Sequence, residues 1–268
     1  MKGVEMYFNP QIVKDFADHE QNEKNFTVAS IIDAVIVQTV QNIDNTFKAV
    51  ELWGGAHPDR YHSFFDTLVQ WWWHIDWVDI SPYMLELAPT YLDTPEYKQR
   101  LDHITFIQSD IIQYLQESPD KSINLAIMKY TIDHMPGIDT LFSLLAQKLK
   151  DNGVLISNIG VLSPELKSIS TNARFLHNGE EFPENETRIL QDGDNFTVKF
   201  FKESWNPTKW YIPGAQTTKY FHAEENYYKT AKKHWFDIFI WNRKEYITDH
   251  IQKYPKIELD QNILVMKK

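Results

Sequence analysis

The sequence predicts an α/β protein built on a doubly wound sheet, and three observations predict it. Short apolar runs alternate five times with segments of helical period between Phe47 and Ile159, the pattern of strand–helix–strand units whose strands pair in parallel. A glycine pair, Gly54-Gly55, closes the first strand. Aspartates, Asp79 and Asp110, close the next two, and open sheets of this kind bind ligands at the carboxyl ends of their strands.

The elements follow in order. Val28, Ile31, Ile32, Val35, Ile36, Thr39 and Val40 keep the i, i+3, i+4, i+7 spacing of a helix buried along one face, with Thr27 as its cap. Phe47 to Trp53 reads as the first strand, running into the glycine turn. Pro58 opens a second helix, with Tyr61, Phe64, Phe65, Leu68 and Val69 on one face. Ile75 to Val78 is a strand, Ser81-Pro82 caps a helix through Ala88, Ile104 to Ile107 is a strand, and Ile111 to Leu115 makes a short helical turn. Ile123 to Met128 is the fourth strand. Asp139 caps a helix that turns Leu141, Phe142, Leu144, Leu145 and Leu149 inward, and Asp151-Asn152-Gly153 turns the chain into a fifth strand, Val154 to Ile159.

Past Gly160 the period is lost. Arg188 to Leu190 and Phe196 to Phe201 flank Asp192-Gly193-Asp194-Asn195, a hairpin signal. A stretch rich in Trp, Tyr and Pro, from Trp205 to Phe221, leads to a helix over Ala223 to His234 and to strands Phe236 to Trp241 and Ile263 to Met266. We read one domain over residues 1–268: an N-terminal helical cap (1–45), a ligand-binding half (46–160), a lid insertion (161–220) and a C-terminal helix with strands (221–268).

Composition narrows the chemistry. Zero Cys in 268 residues excludes a disulfide framework, a thiolate metal site and a cysteine nucleophile. A formal charge of -10 argues against gripping nucleic acid by phosphate neutralisation. No leader and no apolar run of the roughly 20 residues that span a bilayer is present, so a cytoplasmic protein without membrane contact is expected. Aromatic residues reach 14%, and so many rings must fill a core or line a site.

The strand ends carry a resemblance. Val50-Glu51-Leu52-Trp53-Gly54-Gly55-Ala56, Val78 to Ala88, Thr105 to Asp110 and Asn124 to Met135 resemble, in order, the glycine-rich, ribose, adenine and strand-four motifs of the class I S-adenosylmethionine-dependent methyltransferases. The resemblance implies a Rossmann-like sheet of seven strands, mostly parallel with the last antiparallel, and S-adenosylmethionine as cofactor. It places Glu51, Gly54 and Gly55 at the methionine part, Asp79 and Ile80 at the ribose, Asp110 and Ile111 at the adenine and Lys129 on the cofactor through its backbone, with Trp53 and Met84 completing the contact set. Family members carry glycine where Trp53 and His57 stand, and the helix that contains Trp71-Trp72-Trp73 is an extension.

Catalysis of methyl transfer needs an in-line nucleophile and a place for its proton. His134, just past the fourth strand, is the candidate base, and Tyr130 is a candidate for orienting the nucleophile. Each has a plainer role open to it: His134 as a packing residue, Asp79 as a helix cap, His57 as a packing or capping residue. No metal is expected, because the sequence has no His-x-x-x-His spacing and Lys129-Tyr130 stand where magnesium-using relatives place a carboxylate. Trp205, Trp210, Tyr211, Tyr220 and Phe221 suit a small acceptor, partly apolar or cationic. The expected function is methyl transfer to oxygen or nitrogen of a small molecule; the alternative is a non-catalytic protein of this fold that binds a nucleoside-like ligand or a partner protein.

Overall fold

The computed structural model describes residues 5–22, 32, 35–36, 39, 47–60, 74–95, 97–160, 163–169, 173–201, 211–241 and 262–268. Thr27, most of the helix expected over Val28 to Val40, the face from Tyr61 to Val69, the three tryptophans from Trp71, and Trp205 and Trp210 lie outside the described residues. Within the expected N-terminal helix, Ile32, Val35 and Ile36 are helical and fully buried.

Among the described residues a seven-stranded sheet forms the centre. Strands β1 (Lys48–Leu52), β2 (His74–Asp79), β3 (Ile104–Gln108), β4 (Ile123–Met128) and β5 (Leu149–Ile159) pair in parallel. Beyond β5 the sheet continues through β12 (Asn262–Lys267) to β11 (Asp237–Trp241), and β12 runs antiparallel to both neighbours. The order is β3-β2-β1-β4-β5-β12-β11. It reverses direction between β1 and β4, which opens a crevice at their carboxyl ends.

Period-two alternation splits each strand between two cores. Ala49, Ile75, Trp77, Leu125, Ile127, Ile156 and Val265 face a cluster with Ile32, Val35, Ile36 and Leu92. Val50, Leu52, Val78, Ala126, Met128, Leu155 and Leu264 face the other side. There they meet α3 (Ile111–Glu117) through Leu115, α4 (Ile138–Lys148) through Phe142 and Leu145, and α5 (Glu224–Lys233) through Tyr227 and Ala231. No described helix is long and apolar enough to cross a membrane.

Several boundaries differ from expectation for local reasons. Helix α2 (Pro82–Leu92) continues past Ala88 although Pro89 lies inside it; the lost hydrogen bond at proline is offset by burial of Ala88 and Leu92 on the core side. Gly137, not Asp139, is the N-cap of α4. The Asp139 carboxylate is drawn instead to the end of α5, 2.7 Å from Lys233 Nζ and 3.0 Å from His234 Nε2. The Asp151-Asn152-Gly153 turn is absorbed into β5 as an irregularity, with Asn152 at φ 68°.

The insertion after β5 is antiparallel, but its pairing differs from the predicted hairpin. β8 (Thr187–Ile189) pairs with β6 (Glu165–Lys167), while β9 (Asn195–Phe201) lies between β7 (Ala173–His177) and β10 (Tyr211–Tyr220). The 191–194 turn closes on other partners: Gly193 N–H donates to Phe221 O and Phe221 N–H to Asp194 O. Phe182, Phe196, Val198 and Phe221 fill the small core between these strands. Phe221 thus packs the insertion rather than facing a ligand.

Candidate functional site

The glycine turn after β1 is built from β2. Trp53 and Gly54 both donate their N–H to Val78 O, at 2.7 and 2.9 Å. Gly55, at φ +66°, donates to Asp79 Oδ2 at 2.9 Å, and its carbonyl accepts from the Trp77 indole at 2.9 Å. A Cβ on Gly54 would stand 2.2 Å from that indole, so only glycine lets the turn close on Trp77.

Asp79 is 1% exposed and holds a second backbone group, Ser81 N–H, on Oδ1 at 2.8 Å. The helix cap is Ser81 itself, whose hydroxyl accepts from Met84 N–H. Asp79 is therefore the joint between two loops. Asp110 caps α3 through Oδ1, accepting from Ile112 N–H at 2.8 Å.

These strand ends form a cleft lined by Trp53, Asp79, Ile80, Ser109, Asp110 and Ile111. Five of the six were singled out from the sequence. Ser109 was not, though it directly precedes Asp110; its N–H donates to Asp79 O. Of the other residues singled out, Glu51 is fully buried in β1 and Gly54 lies buried in the turn. Lys129, buried at the end of β4, has its carbonyl held by the Thr131 hydroxyl. Met84 is not in the cleft: it packs with Met6, Tyr7 and Ala56.

Two residues at the strand ends hold left-handed backbone without being glycine, Trp53 at φ 74° and Tyr130 at φ 57°. Such positions cost about 1–3 kcal/mol each and persist only where the surroundings hold them. Tyr130 is held by its N–H donating to Asn158 Oδ1 at 2.7 Å. The Trp53 ring lies between Tyr7, 5.5 Å away edge-on, and His134, 5.0 Å away. It lines the cleft and packs against His134.

His57, also at a glycine position of the motif, is 1% exposed and ties the turn to the N-terminal helix α1 (Pro10–Asn22): its Nε2 donates to Ala17 O at 2.9 Å. Nothing in the sequence links these two positions. The N-terminal segment and the insertion both close over this end of the sheet, with Ile12 against Gly214 of β10 and Phe16 against Phe200 of β9.

His134 ends a 3-10 turn, Ile132–His134, directly after β4. Its Nδ1 lies 3.0 Å from Thr218 O and 3.1 Å from Thr217 Oγ1, both on β10. A carbonyl can only accept, so Nδ1 carries the hydrogen and Nε2 carries the lone pair. Burial and then the nearby Lys219 charge push its pKa down to about 3, which keeps the ring neutral near pH 7. Beside it, Asp133 is 1% exposed and accepts from Gly160 N–H at 3.0 Å; burial raises its carboxyl above the usual range, against the pull of Lys219. Among the described residues no group of three or more His, Asp or Glu is arranged to hold a metal ion.

The cleft has the groups a nucleoside needs: two carboxylates at adjacent strand ends, a small hydroxyl in Ser109, and apolar walls from Ile80 and Ile111. Residues 60–157 match the family model of the methyltransferase domain. Solved structures share the fold. A methyltransferase from Streptomyces caelestis, CcbJ, has a TM-score of 0.55 at 11% identity, with 88% of this chain and 93% of that one covered. An S-adenosylmethionine-dependent methyltransferase from Clostridium acetobutylicum has a TM-score of 0.50 at 15% identity, with 89% of each chain covered. Phosphoethanolamine N-methyltransferase 2 of Haemonchus contortus, in complex with phosphomonomethylethanolamine and S-adenosylhomocysteine, has a TM-score of 0.50 at 16% identity, covering 88% of this chain and 51% of that one. No curated protein matches the sequence. The family match and the shared sheet bear out the resemblance to class I S-adenosylmethionine-dependent methyltransferases.

Proposed function

We propose that this chain, whose residues 60–157 carry a methyltransferase domain, is a cytoplasmic, metal-independent enzyme that moves a methyl group from S-adenosylmethionine to an oxygen or nitrogen of a small molecule. The observation that carries this reading is the convergence of Trp53, Asp79, Ile80, Asp110 and Ile111 in one cleft, with His134 against the far face of Trp53. A small acceptor accords with the phosphomonomethylethanolamine named for the Haemonchus structure.

The cofactor supplies a methyl group already activated on a sulfonium, so the chain's own work is to bind, orient and receive a proton. Asp79 accepts from the ribose hydroxyls while Gly55 and Ser81 keep its carboxylate in place. Asp110 accepts from the adenine amine through the oxygen that does not cap α3. His134 takes the acceptor's proton at Nε2, because Thr218 O holds the hydrogen on Nδ1. Tyr130 orients the acceptor from the end of β4. Metal independence is supported by the β4 loop itself, where Lys129 and Tyr130 follow the strand and the Asp133 carboxylate is engaged by Gly160 and Lys219.

Calorimetric titration with S-adenosylmethionine tests the reading: heat and a thermal shift are expected, and neither at about 1 mM would overturn it. The indole of Trp53, where a glycine is expected, favours the second reading, a non-catalytic protein that binds a nucleoside-like ligand. It predicts binding of adenosine, no gain from the methionine part, and no methyl transfer.

A further inference from the structure

The sheet ends on β11. Among the described residues this strand pairs with β12 alone, so the N–H and C=O groups of alternate residues point away from the sheet. Edge strands that stay solitary are blunted by lysine, proline or a bulge. β11 reads Asp-Ile-Phe-Ile-Trp and pairs with β12 without a break in register, its one charge at the first position. Phe239, opposite Val265 of β12, carries the apolar face of the sheet past that core residue to the edge, where it is 49% exposed.

Five large apolar side chains are exposed among the described residues, and three of them, Tyr228, Trp235 and Phe239, belong to α5, the turn after it and β11. Trp235 is 89% exposed at φ 64°. Its N–H donates to Lys232 O and Phe236 N–H donates to Ala231 O, the two bonds of a Schellman turn whose left-handed position favours glycine. The turn buries Phe236 and leaves the indole in water, so neither the left-handed backbone nor the ring at that position is explained by packing within the chain. A contiguous exposed apolar patch marks an interaction surface.

Charge identifies the occupant. Helix α5 carries Glu224 and Glu225 in its first turn and Lys232 and Lys233 in its last, with Tyr228 midway. Lys233 is held by Asp139, while Glu225 and Lys232 are without an ion-pair partner among the described residues. Acid at one end and base at the other is complementary to itself when two copies run antiparallel about a two-fold axis. The chain reverses through the turn at Trp235, which sets α5 beside β11, so one axis serves both elements. Pairing β11 antiparallel with its own copy about Phe239 puts Phe239 beside Phe239 and Ile238 beside Ile240; the same axis, at Tyr228 and Lys229 of the helix, brings Glu225 of each copy to Lys232 of the other.

We propose that the α5–β11 edge is the interface of a two-fold symmetric homodimer in which the two β11 strands pair antiparallel and the two α5 helices lie side by side. The two seven-stranded sheets then continue as one. The cleft is built at the ends of β1, β2 and β3, at the other side of the strand order, so pairing at β11 leaves it open.

Analytical ultracentrifugation of the full chain over about 1–100 μM tests this. Wild type is expected to sediment with twice the 31.7 kDa of the single chain. Phe239→Lys sets two ammonium groups face to face at the axis and gives a monomer, with its fold checked by circular dichroism and thermal melting. Lys232→Glu, which turns two attractive contacts into repulsive ones, weakens the dimer by about tenfold, and Glu225→Lys/Lys232→Glu restores it to within about threefold. Should Phe239→Lys fail to fold, the charge reversals carry the test, since both residues are exposed on α5. A wild type that stays monomeric assigns the edge to another protein and overturns the proposal; so does a dimer that survives Phe239→Lys or ignores the charge reversals, which places its interface elsewhere.

Discussion

The imidazole of His134 lies against the indole of Trp53, ring centroids 5.0 Å apart and planes tilted by 40°. One ring comes from the turn after β1 and the other from the turn after β4, the two strands between which the sheet order reverses. The contact joins the wall of the strand-end cleft to the proposed base. The β10 carbonyl of Thr218 fixes the imidazole from the other side.

His134→Ala is expected to lower kcat by about 100-fold, the lower end of general acid–base contributions, and to leave S-adenosylmethionine affinity within about threefold. Single-turnover methyl transfer and calorimetry on the same variant check this. Equal loss of both, or loss of neither, refutes the base role.

The same residue links stability to pH. His134 has its folded pKa lowered to about 3 against 6.5 for the free side chain, so the unfolded chain binds the extra proton as pH falls through 6.5, and stability falls with it. Wild type is expected to lose about 2 kcal/mol more than His134→Gln between pH 7 and pH 5. Urea unfolding of both at the two pH values measures the difference, and parallel losses would count against a neutral buried ring.

Asp79→Ala is expected to do two things at once. Two backbone donors, Gly55 N–H and Ser81 N–H, lose their acceptor, which costs about 1–3 kcal/mol each where they stay buried, and cofactor binding is lost. Asp79→Asn keeps one acceptor oxygen and should recover part of the stability with little of the binding. Thermal melts beside calorimetry separate the two effects.

Gly54→Ala puts a Cβ into the Trp77 ring. Overpacking of this kind costs roughly 1–3 kcal/mol, and the companion Trp77→Phe substitution should make the alanine less costly than it is in wild type. A double-mutant cycle by denaturant unfolding reads this coupling, and strict additivity would argue against the contact.

How much of this was legible in the chain depends on range. The five alternating strands, the Ser81 cap and the Asp79 and Asp110 strand ends are local signals, carried by period, turn residues and spacing within a few positions. Ser109 was readable in principle, being next to Asp110. Asp139 was misread because its partners, Lys233 and His234, are on a helix almost a hundred residues later. The hairpin signal at Asp192-Gly193 marked a true turn, yet β8 found β6 and β9 found β7, since a turn dictates a reversal and not the partner strand.

The sequence by itself therefore determined the sheet, its strand ends and the acidic residues waiting there, because burial period and turn chemistry act over short separations. Only the tertiary structure decided what surrounds them. It brought Tyr7 and His134 to the two sides of Trp53, His57 to Ala17, and Thr218 and Lys219 to the loop after β4. These contacts join segments that share no period or motif; they arise because the N-terminal segment and the insertion both bury apolar surface over the same end of the sheet.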